Sequence, residues 1–333
     1  MSKIIFIGDI HVKFSNLNEI DKLQKAVVDH CKKSPPSFLV LGGDILDTYE
    51  RVNTQLLNRA YELIKAFREV AHVYVIVGNH DYINNQQFLS DNHWMNGMKE
   101  WFNVTIVDTP TIVENYLLVP YVPNGRFVEA IETVTKSWKD FDCVFAHQEI
   151  KGCKMGAITS IDGDLWENEW PMLISGHIHG RQNIGNNVLY PGSVINHAYS
   201  SDNQGVSEFT FQGSNFEEYR IDLKLEKKKT IHKNISDVDV DKIKLLDKHC
   251  RLTLDGEMKD ITSFKKSQTY QSLIKKGVKV VFQKKKCDAS DANSDVIDAN
   301  NDANMFNSIL TTLIKKERDL ELENDFHHIR SSS

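Results

Sequence analysis

An α/β domain built on parallel strands is the fold this sequence predicts, and three observations predict it. Short β-branched apolar runs alternate with amphipathic helical stretches over the first two thirds of the chain. That is the pattern of βαβ units whose helices cover the faces of a sheet. Several of the apolar runs end in glycine followed by an oxygen or imidazole donor. Open α/β sheets form their sites in the crevice beyond the carboxyl ends of their strands. Finally, 333 residues exceed one ordinary domain and predict a large domain followed by a smaller one.

The elements follow in order. Ile4-Ile5-Phe6-Ile7 is the first strand and runs into Gly8-Asp9-Ile10-His11. Residues 17–32 form a helix with Leu17, Ile20, Leu23, Ala26, Val27 and His30 along one side, and Pro35-Pro36 stops the pattern. Phe38-Leu39-Val40-Leu41 is the second strand and leads to Gly42-Gly43-Asp44. In residues 53–70, Leu56, Leu57, Ala60, Leu63, Ile64 and Phe67 fall at helical spacing. The third strand, Val73 through Val77, ends in Gly78-Asn79-His80-Asp81. Phe88, Leu89, Trp94, Met95, Met98, Trp101 and Phe102 predict a helix over 86–102. Short strands follow at 104–107 and 115–119, then a helix at 126–138. Strands at 142–146 and 171–175 lead to His147 and to Gly176-His177-Ile178-His179.

From about residue 187 the texture changes. Antiparallel strands are expected at 188–190, 207–211 and 217–222. A strand at 251–254, a helix at 258–276 and a strand at 278–282 read as a small βαβ lobe. Residues 287–303 are acidic, amide-rich and poor in large apolar side chains, which is a linker composition. A terminal helix at 304–322 carries Met305, Phe306, Ile309, Leu310 and Leu313 on one side and reads as a docking element. The expected division is therefore 1–205 for the main domain, 206–286 for a strand extension and capping lobe, 287–303 for the linker and 304–333 for a helical tail.

Composition excludes several classes. Hydrophobic residues make up 41% of the chain, enough for a core. No apolar run approaches the roughly 20 residues of a membrane span, so no membrane association is expected. The apolar part of residues 1–8 is too short for a signal peptide. Five scattered cysteines without a CxxC pair argue for a reducing compartment and against a disulfide framework. The expected location is the cytoplasm, or the host-cell cytoplasm if the source is viral. A net charge of −6 carries no global nucleic-acid signature, but clustered charge governs phosphate contact.

One strand end carrying an Asp means little; five carrying Asp9, His11, Asp44, Asn79, His147, His177 and His179 describe a site for two metal ions. Mixed Asp, Asn and His donors suit Mn2+, Fe2+ or Zn2+ and lack the thiolates of a structural zinc site. Asp44 is the natural bridging ligand. Asp9, His11 and one of the paired histidines would complete one ion; Asn79, His147 and the other histidine would complete the second. Neutral Asn79 leaves the site net positive and suited to a phosphate. Two ions about 4 Å apart can clamp both oxygens of an in-line displacement. His80 is the candidate general acid, with Asp81 placed to orient it. The histidines without strand-end context, including His30, His72, His93 and His232, are read as structural.

Asp-x-His, Gly-Gly-Asp, Gly-Asn-His-Asp, a lone His and Gly-His-x-His, in this order, resemble the calcineurin-like metallophosphoesterases. The resemblance spans residues 4 to about 195 and implies a two-metal phosphoesterase on an αββα sandwich. Within that superfamily the chain is most similar to the SbcD-type DNA repair nucleases and bacteriophage recombination nuclease subunits. Tyr190-Pro191-Gly192-Ser193 after the Gly-His-Ile-His motif, the Asp of Gly-Asn-His-Asp, and the lobe, linker and tail carry that likeness. It implies that Asp9, His11, Asp44 and His179 hold one ion, that Asp44, Asn79, His147 and His177 hold the other, and that His80 is the catalytic acid. Some members place a histidine three residues after the bridging Asp, where this chain has Asp47.

The resemblance further implies a homodimer and an SbcC-type ATPase partner. Trp94, Met95, Met98, Trp101 and Phe102 would supply a dimer helix. Lys224 with Lys227 to Lys229, and Lys275, Lys276 and Lys284 to Lys286, would supply DNA contacts. The expected activity is a Mn2+-dependent DNA nuclease of repair or recombination, with Mg2+, Fe2+ or Zn2+ as alternative ions. The alternatives are a stand-alone phosphoesterase acting on small phosphoesters or phosphoproteins, and a scaffold without chemistry. Asp47-Thr48-Tyr49 and Gly-Asn-His-Asp depart from the phosphoprotein phosphatase pattern, which continues Gly-Asp-x-x-Asp-Arg-Gly and uses Gly-Asn-His-Glu.

Overall fold

Strands apolar on both sides need cover on both sides, and two facing sheets supply it. The computed structural model describes residues 1–49, 52–156, 158–196, 205–225, 228–238 and 250–284. In chain order they form β1 (Ser2–Ile7), α1 (Leu17–Lys33), β2 (Phe38–Leu41), α2 (Thr54–Arg68), β3 (Val73–Ile76), β4 (Val104–Val107), β5 (Thr111–Val113), β6 (Tyr116–Val119), α3 (Phe127–Glu132), β7 (Cys143–His147), β8 (Lys154–Met155) and β9 (Ile158–Thr159). Then come β10 (Met172–Gly176), β11 (Gln182–Ile184), β12 (Val188–Tyr190), β13 (Val206–Gln212), β14 (Asn215–Ile221), β15 (Lys229–Asn234), β16 (Cys250–Gly256), α4 (Met258–Lys265), α5 (Gln268–Lys275) and β17 (Lys279–Lys284).

The first sheet has the order β14-β13-β1-β2-β3-β4, and β1 to β4 run parallel. The second has the order β11-β12-β10-β7-β6-β5, with β6, β7, β10 and β12 parallel. Antiparallel strands close both edges of the second sheet and the β14 edge of the first, whose other edge is the parallel strand β4. Alternation along each strand divides the side chains. Ile4 and Phe6 of β1 point between the sheets, where they meet Val40, Ile76, Phe145, Ile174, Phe209 and Phe211. Ile5 and Ile7 point outward to α1 and α2. The outer face of the second sheet is covered by α3 with Trp138, Trp166 and Trp170. The result is the expected αββα sandwich.

β15, β16 and β17 form a separate three-stranded parallel sheet. Its small core holds Leu252, Leu254, Leu273 and Val278. The linker expected at 287–303, the helix expected at 304–322 and the lysines at 227, 285 and 286 lie outside the described residues. No helix among the described residues is long and apolar enough to cross a membrane.

Three helical expectations are corrected. Residues 86–102 form no α-helix; a single 3-10 turn spans Asn96–Met98. Short polar side chains there bind nearby backbone and compete with a helix. Asn84 Oδ1 accepts from Gln86 N at 3.0 Å, Ser90 Oγ accepts from Asn92 N at 3.1 Å, and Asn96 Nδ2 donates to the Asp91 carbonyl at 2.6 Å. Leu89, at φ 45°, is also left-handed. Trp94, Met95, Met98 and Trp101 pack into the core beside α2, so the expected dimer helix is not formed, and Phe102 alone of that set is exposed. The helix expected at 126–138 ends at Glu132, before a β-branched stretch. The helix expected at 258–276 is two helices, because the Ser267 side chain caps a new start by accepting from Tyr270 N.

Phe211 sits between the sheets against Tyr116, Phe145, Phe209 and Phe216. Phe211→Ala is expected to lower unfolding free energy by about 3–5 kcal/mol, measured by urea titration. A loss below about 1 kcal/mol would show that the inter-sheet core does not hold the sandwich together.

Candidate metal centre

The parallel strands of both sheets end at one edge, and the turns that follow are bent sharply. Asp9, His11, Asp44 and His177 all have left-handed backbones, at φ 50°, 45°, 52° and 77°. Such conformations cost non-glycine residues of order 1 kcal/mol or more each and persist only where surroundings hold them. Here the turns hold one another, within the first sheet and across to the second. His177 N donates to Asp9 Oδ1 at 2.9 Å, His80 N donates to Asp44 Oδ1 at 2.9 Å, and His11 N donates to the Asp44 carbonyl at 2.9 Å. Two glycines make room. Gly43 turns at φ +90° where any Cβ would strike the His147 ring, and a Cβ on Gly78 would overlap Asp44.

Seven predicted donors are brought together by these turns. His147 Nδ1 lies 2.7 Å from the Gly42 carbonyl and donates to it, so Nε2 faces the site. Around that atom lie Asn79 Oδ1 at 3.0 Å, His177 Nδ1 at 3.3 Å and Asp44 Oδ1 at 3.3 Å. Asn79 Oδ1 is also 2.9 Å from His177 Nδ1. On the other side of Asp44, Oδ2 is 3.5 Å from His11 Nε2, which lies 3.0 Å from His179 Nε2. Two acceptor-rich clusters thus meet at one carboxylate. Asp9, His11 and His179 can offer ligand atoms within 4.8 Å of one another, and so can Asp44, His147 and His177. Converging oxygen and imidazole lone pairs repel unless a cation or proton lies among them, so the donor set fits divalent metal ions.

Electrostatics agree with that fit. Burial opposes ionisation of Asp44, but His147, His11 and His80 outweigh it and hold the carboxyl well below the usual range. Burial, reinforced by the charge on His147, pushes His177 down to about 3 and keeps it a neutral donor. Asp9 is raised to about 7 by burial, with Asp44 adding to the effect against His147. Burial also opposes protonation of His147, yet Asp44, Asp9 and the Gly42 carbonyl lift it to about 9. A metal ion at His147 Nε2 therefore competes with a proton there.

His80 stands at the rim, 26% exposed at its side chain and 4.0 Å from Asp44 Oδ2. Its Nδ1 donates to the Asp47 carbonyl at 3.1 Å, and Tyr49 Oη lies 3.1 Å from its Nε2. The orienting role expected of Asp81 is corrected. The Asp81 carboxylate faces away from His80 and accepts from Ile45 N, Leu46 N, Gly78 N and Trp94 Nε1. It ties the turn after β2 to the turn after β3. Burial and the nearby Asp44 raise it to about 6, against the hydrogen bonds it receives. The neighbouring Asp47 takes up Lys13 Nζ at 3.0 Å and lies 3.5 Å from His11 Nδ1. His93, read as structural, is bound to Asp108 and to Met95 N.

Sequence patterns did not single out Gln148, gave Tyr49 no role at the site, and read Trp94 only as part of a dimer helix. Gln148 has a plain local signal, following His147 directly, but its task is long-range. Its Nε2 reaches the Val122 carbonyl and Asp164. Tyr190-Pro191-Gly192-Ser193 proves to brace the histidine loops. Tyr190 Oη donates to the Gln148 carbonyl at 2.9 Å and accepts from Ile150 N, while Ser193 N donates to the His179 carbonyl at 3.0 Å.

Paired sheets whose strand ends gather Asp, Asn and His donors define a metal-dependent phosphoesterase. The chain belongs to the calcineurin-like phosphoesterase family, which matches it over residues 2–181. It is 39% identical over 332 residues to "Putative phosphoesterase 078R" of Invertebrate iridescent virus 3, across 96% of this chain and 94% of that relative. It is 42% identical over 280 residues to "Putative phosphoesterase 244L" of Invertebrate iridescent virus 6, across 80% of this chain and 98% of that relative.

Because a Cβ at position 78 would displace Asp44, Gly78→Ala is expected to weaken metal binding about 10- to 100-fold. Calorimetric titration with Mn2+ measures this, with circular dichroism checking the fold. Unchanged affinity would mean that Asp44 does not need its present position.

Proposed function

We propose that this chain is a two-metal phosphodiesterase acting on DNA. Charge distribution is the observation that carries the substrate. Residues 1–223 contain 18 Lys and Arg against 28 Asp and Glu, a net charge of −10. Residues 224–286 contain 18 against 8, a net charge of +10. That segment includes the β15–β17 lobe, which follows the sandwich. A polyanion gains little from the acidic sandwich surface and much from a cationic lobe beside it, whereas a small phosphoester needs no such lobe.

In this reading Asp9, His11, Asp44 and His179 hold one ion, and Asp44, Asn79, His147 and His177 hold the other, with Mn2+ the proposed metal. When bound, the ions supply Lewis-acid activation of the phosphate and of the attacking water. Asp44 is shared because it lies between both clusters. Asn79 contributes an oxygen without charge, so Asp9 and Asp44 are the only carboxylates among the seven proposed ligands. His80, at the exposed rim, delivers the proton to the leaving oxygen. The same reading makes the chain a homodimeric nuclease subunit of DNA repair or recombination in the host-cell cytoplasm, with an SbcC-type ATPase docked through residues 304–333.

A Mn2+ assay comparing linear DNA with bis-p-nitrophenyl phosphate tests the substrate. DNA cleavage should fall steeply with added salt while hydrolysis of the small ester barely changes. Hydrolysis of the small ester alone would replace the nuclease reading with a stand-alone phosphoesterase. Two variants separate the roles. Asp44→Ala should lose both ions in metal analysis, and retention of two ions would refute the bridge. His80→Ala should keep both ions yet cleave DNA about 100-fold more slowly or worse; undiminished cleavage would remove His80 from the chemistry.

A further inference from the structure

The loop after β2 carries a tyrosine that touches both a candidate metal ligand and the candidate acid. Asn79 Nδ2 donates to Tyr49 Oη at 3.1 Å, and Tyr49 Oη lies 3.1 Å from His80 Nε2. The phenol ring stacks on the imidazole, with centroids 4.2 Å apart and planes 25° from parallel. At the other end of the same ring, His80 Nδ1 meets the Asp47 carbonyl at 3.1 Å. Donors and acceptors along this chain of contacts can be assigned without conflict. With the proton it delivers on Nε2, His80 donates that N–H to the phenol oxygen, which also accepts from the Asn79 amide, while His80 Nδ1–H donates to the Asp47 carbonyl.

We propose that Tyr49 is the positioning residue for His80, holding the imidazole by stacking and by its hydroxyl. The edge of the ring is further bounded by His11, at 4.9 Å between centroids and 87° between planes. Nothing else among the described contacts grips His80 Nε2 at hydrogen-bond distance, since Asp44 Oδ2 stands 4.0 Å away. Tyr49 thereby does the work that the residue following His80 was expected to do. The Asn79 contact has a second effect. By engaging Nδ2, the hydroxyl aims Asn79 Oδ1 at His147 and His177.

The proposal rests on His80 as the group that protonates the leaving oxygen, and substrates of graded leaving group separate the two claims. A proton donor matters for a poor leaving group and hardly at all for one that departs as a stable anion. The full-length protein with Mn2+ is assayed on phosphodiesters of p-nitrophenol and of unsubstituted phenol. Tyr49→Phe keeps the stacked ring and removes the hydroxyl. It is expected to lower kcat on the phenyl ester about 10-fold or more while changing the p-nitrophenyl ester less than about 3-fold, with KM held on both. Tyr49→Ala should deepen the same selective loss. Thermal melting confirms that each variant is folded. An equal loss on both esters would make Tyr49 a support of the metal ligand Asn79 and overturn the proposal, as would no loss at all. His80→Ala is run alongside. If it loses the phenyl ester selectively and Tyr49→Phe does not, the positioning role fails alone. If His80→Ala shows no such selectivity, the acid assignment fails and the proposal falls with it.

Discussion

Burying the Asp44 carboxylate where two sheets meet is the constraint on which the rest of the site depends. An ionised carboxyl at 2% exposure is costly unless positive or donor groups surround it. Here they come from three separate strands. His80 N arrives from the turn after β3, His11 from the turn after β1, and His147 from β7 of the opposite sheet. None of these can move without unpairing the charge. The left-handed turns at Asp9, His11, Asp44 and His177 are held by the same contacts. Backbone strain at the strand ends and the buried charge therefore stabilise one arrangement jointly, and that arrangement points every donor inward.

Asp81 shows how the constraint is transmitted without contact to the reacting groups. Its carboxylate gathers three backbone amides and the Trp94 indole, joining the turn that carries Asp44 to the turn that carries Asn79 and His80. Trp94 is in turn packed against Tyr61 of α2. The first sheet's outer core thus sets the spacing between the shared carboxylate and its neighbours. The opposite sheet is braced by a different device, with Tyr190 and Ser193 clamping the segments after His147 and His179.

Much of this was legible in the sequence, for physical reasons that also explain what was not. The strands and α1 and α2 were readable because a buried parallel strand must be apolar throughout and a covering helix must show a stripe. Asp9, Asp44, Asn79 and His177 were readable because glycine and donor follow such strands directly, and His147 because it ends one. Residues 86–102 misled because a stripe of large apolar side chains records burial, not backbone conformation. Irregular chain held by Asn84, Ser90 and Asn96 buries Met95 and Met98 as completely as a helix would. The split at Ser267 was hidden for the opposite reason, since the apolar spacing continues across it. Asp81 was misread because adjacency to His80 in the chain suggested contact, whereas consecutive side chains beyond a strand point apart. Tyr49 had no local signal at all; its contacts with Asn79 and His80 arise only once β2 and β3 lie side by side.

The distribution of charge follows from the same geometry. A site that must hold cations at buried carboxylates sits in an acidic sandwich, and exposed charges of one sign act over about 8 Å at physiological ionic strength. A small phosphoester entering beside His80 meets chiefly the local field of the metals and their donors. A long polyanion also meets the surface of residues 1–223, with its net charge of −10. Attraction at the site is then opposed everywhere else unless a cationic surface lies alongside. Basic residues spread evenly over the sandwich would lessen that opposition but would also pair with carboxylates near the site, as Lys13 pairs with Asp47 beside His11. Concentrating the excess of basic over acidic residues in 224–286 would, on the proposed reading, leave that excess available to a phosphate backbone. On the proposed DNA reading, the acidic sandwich and the basic segment after it are two answers to one electrostatic problem, which is how one chain would bind both metal ions and a polyanion.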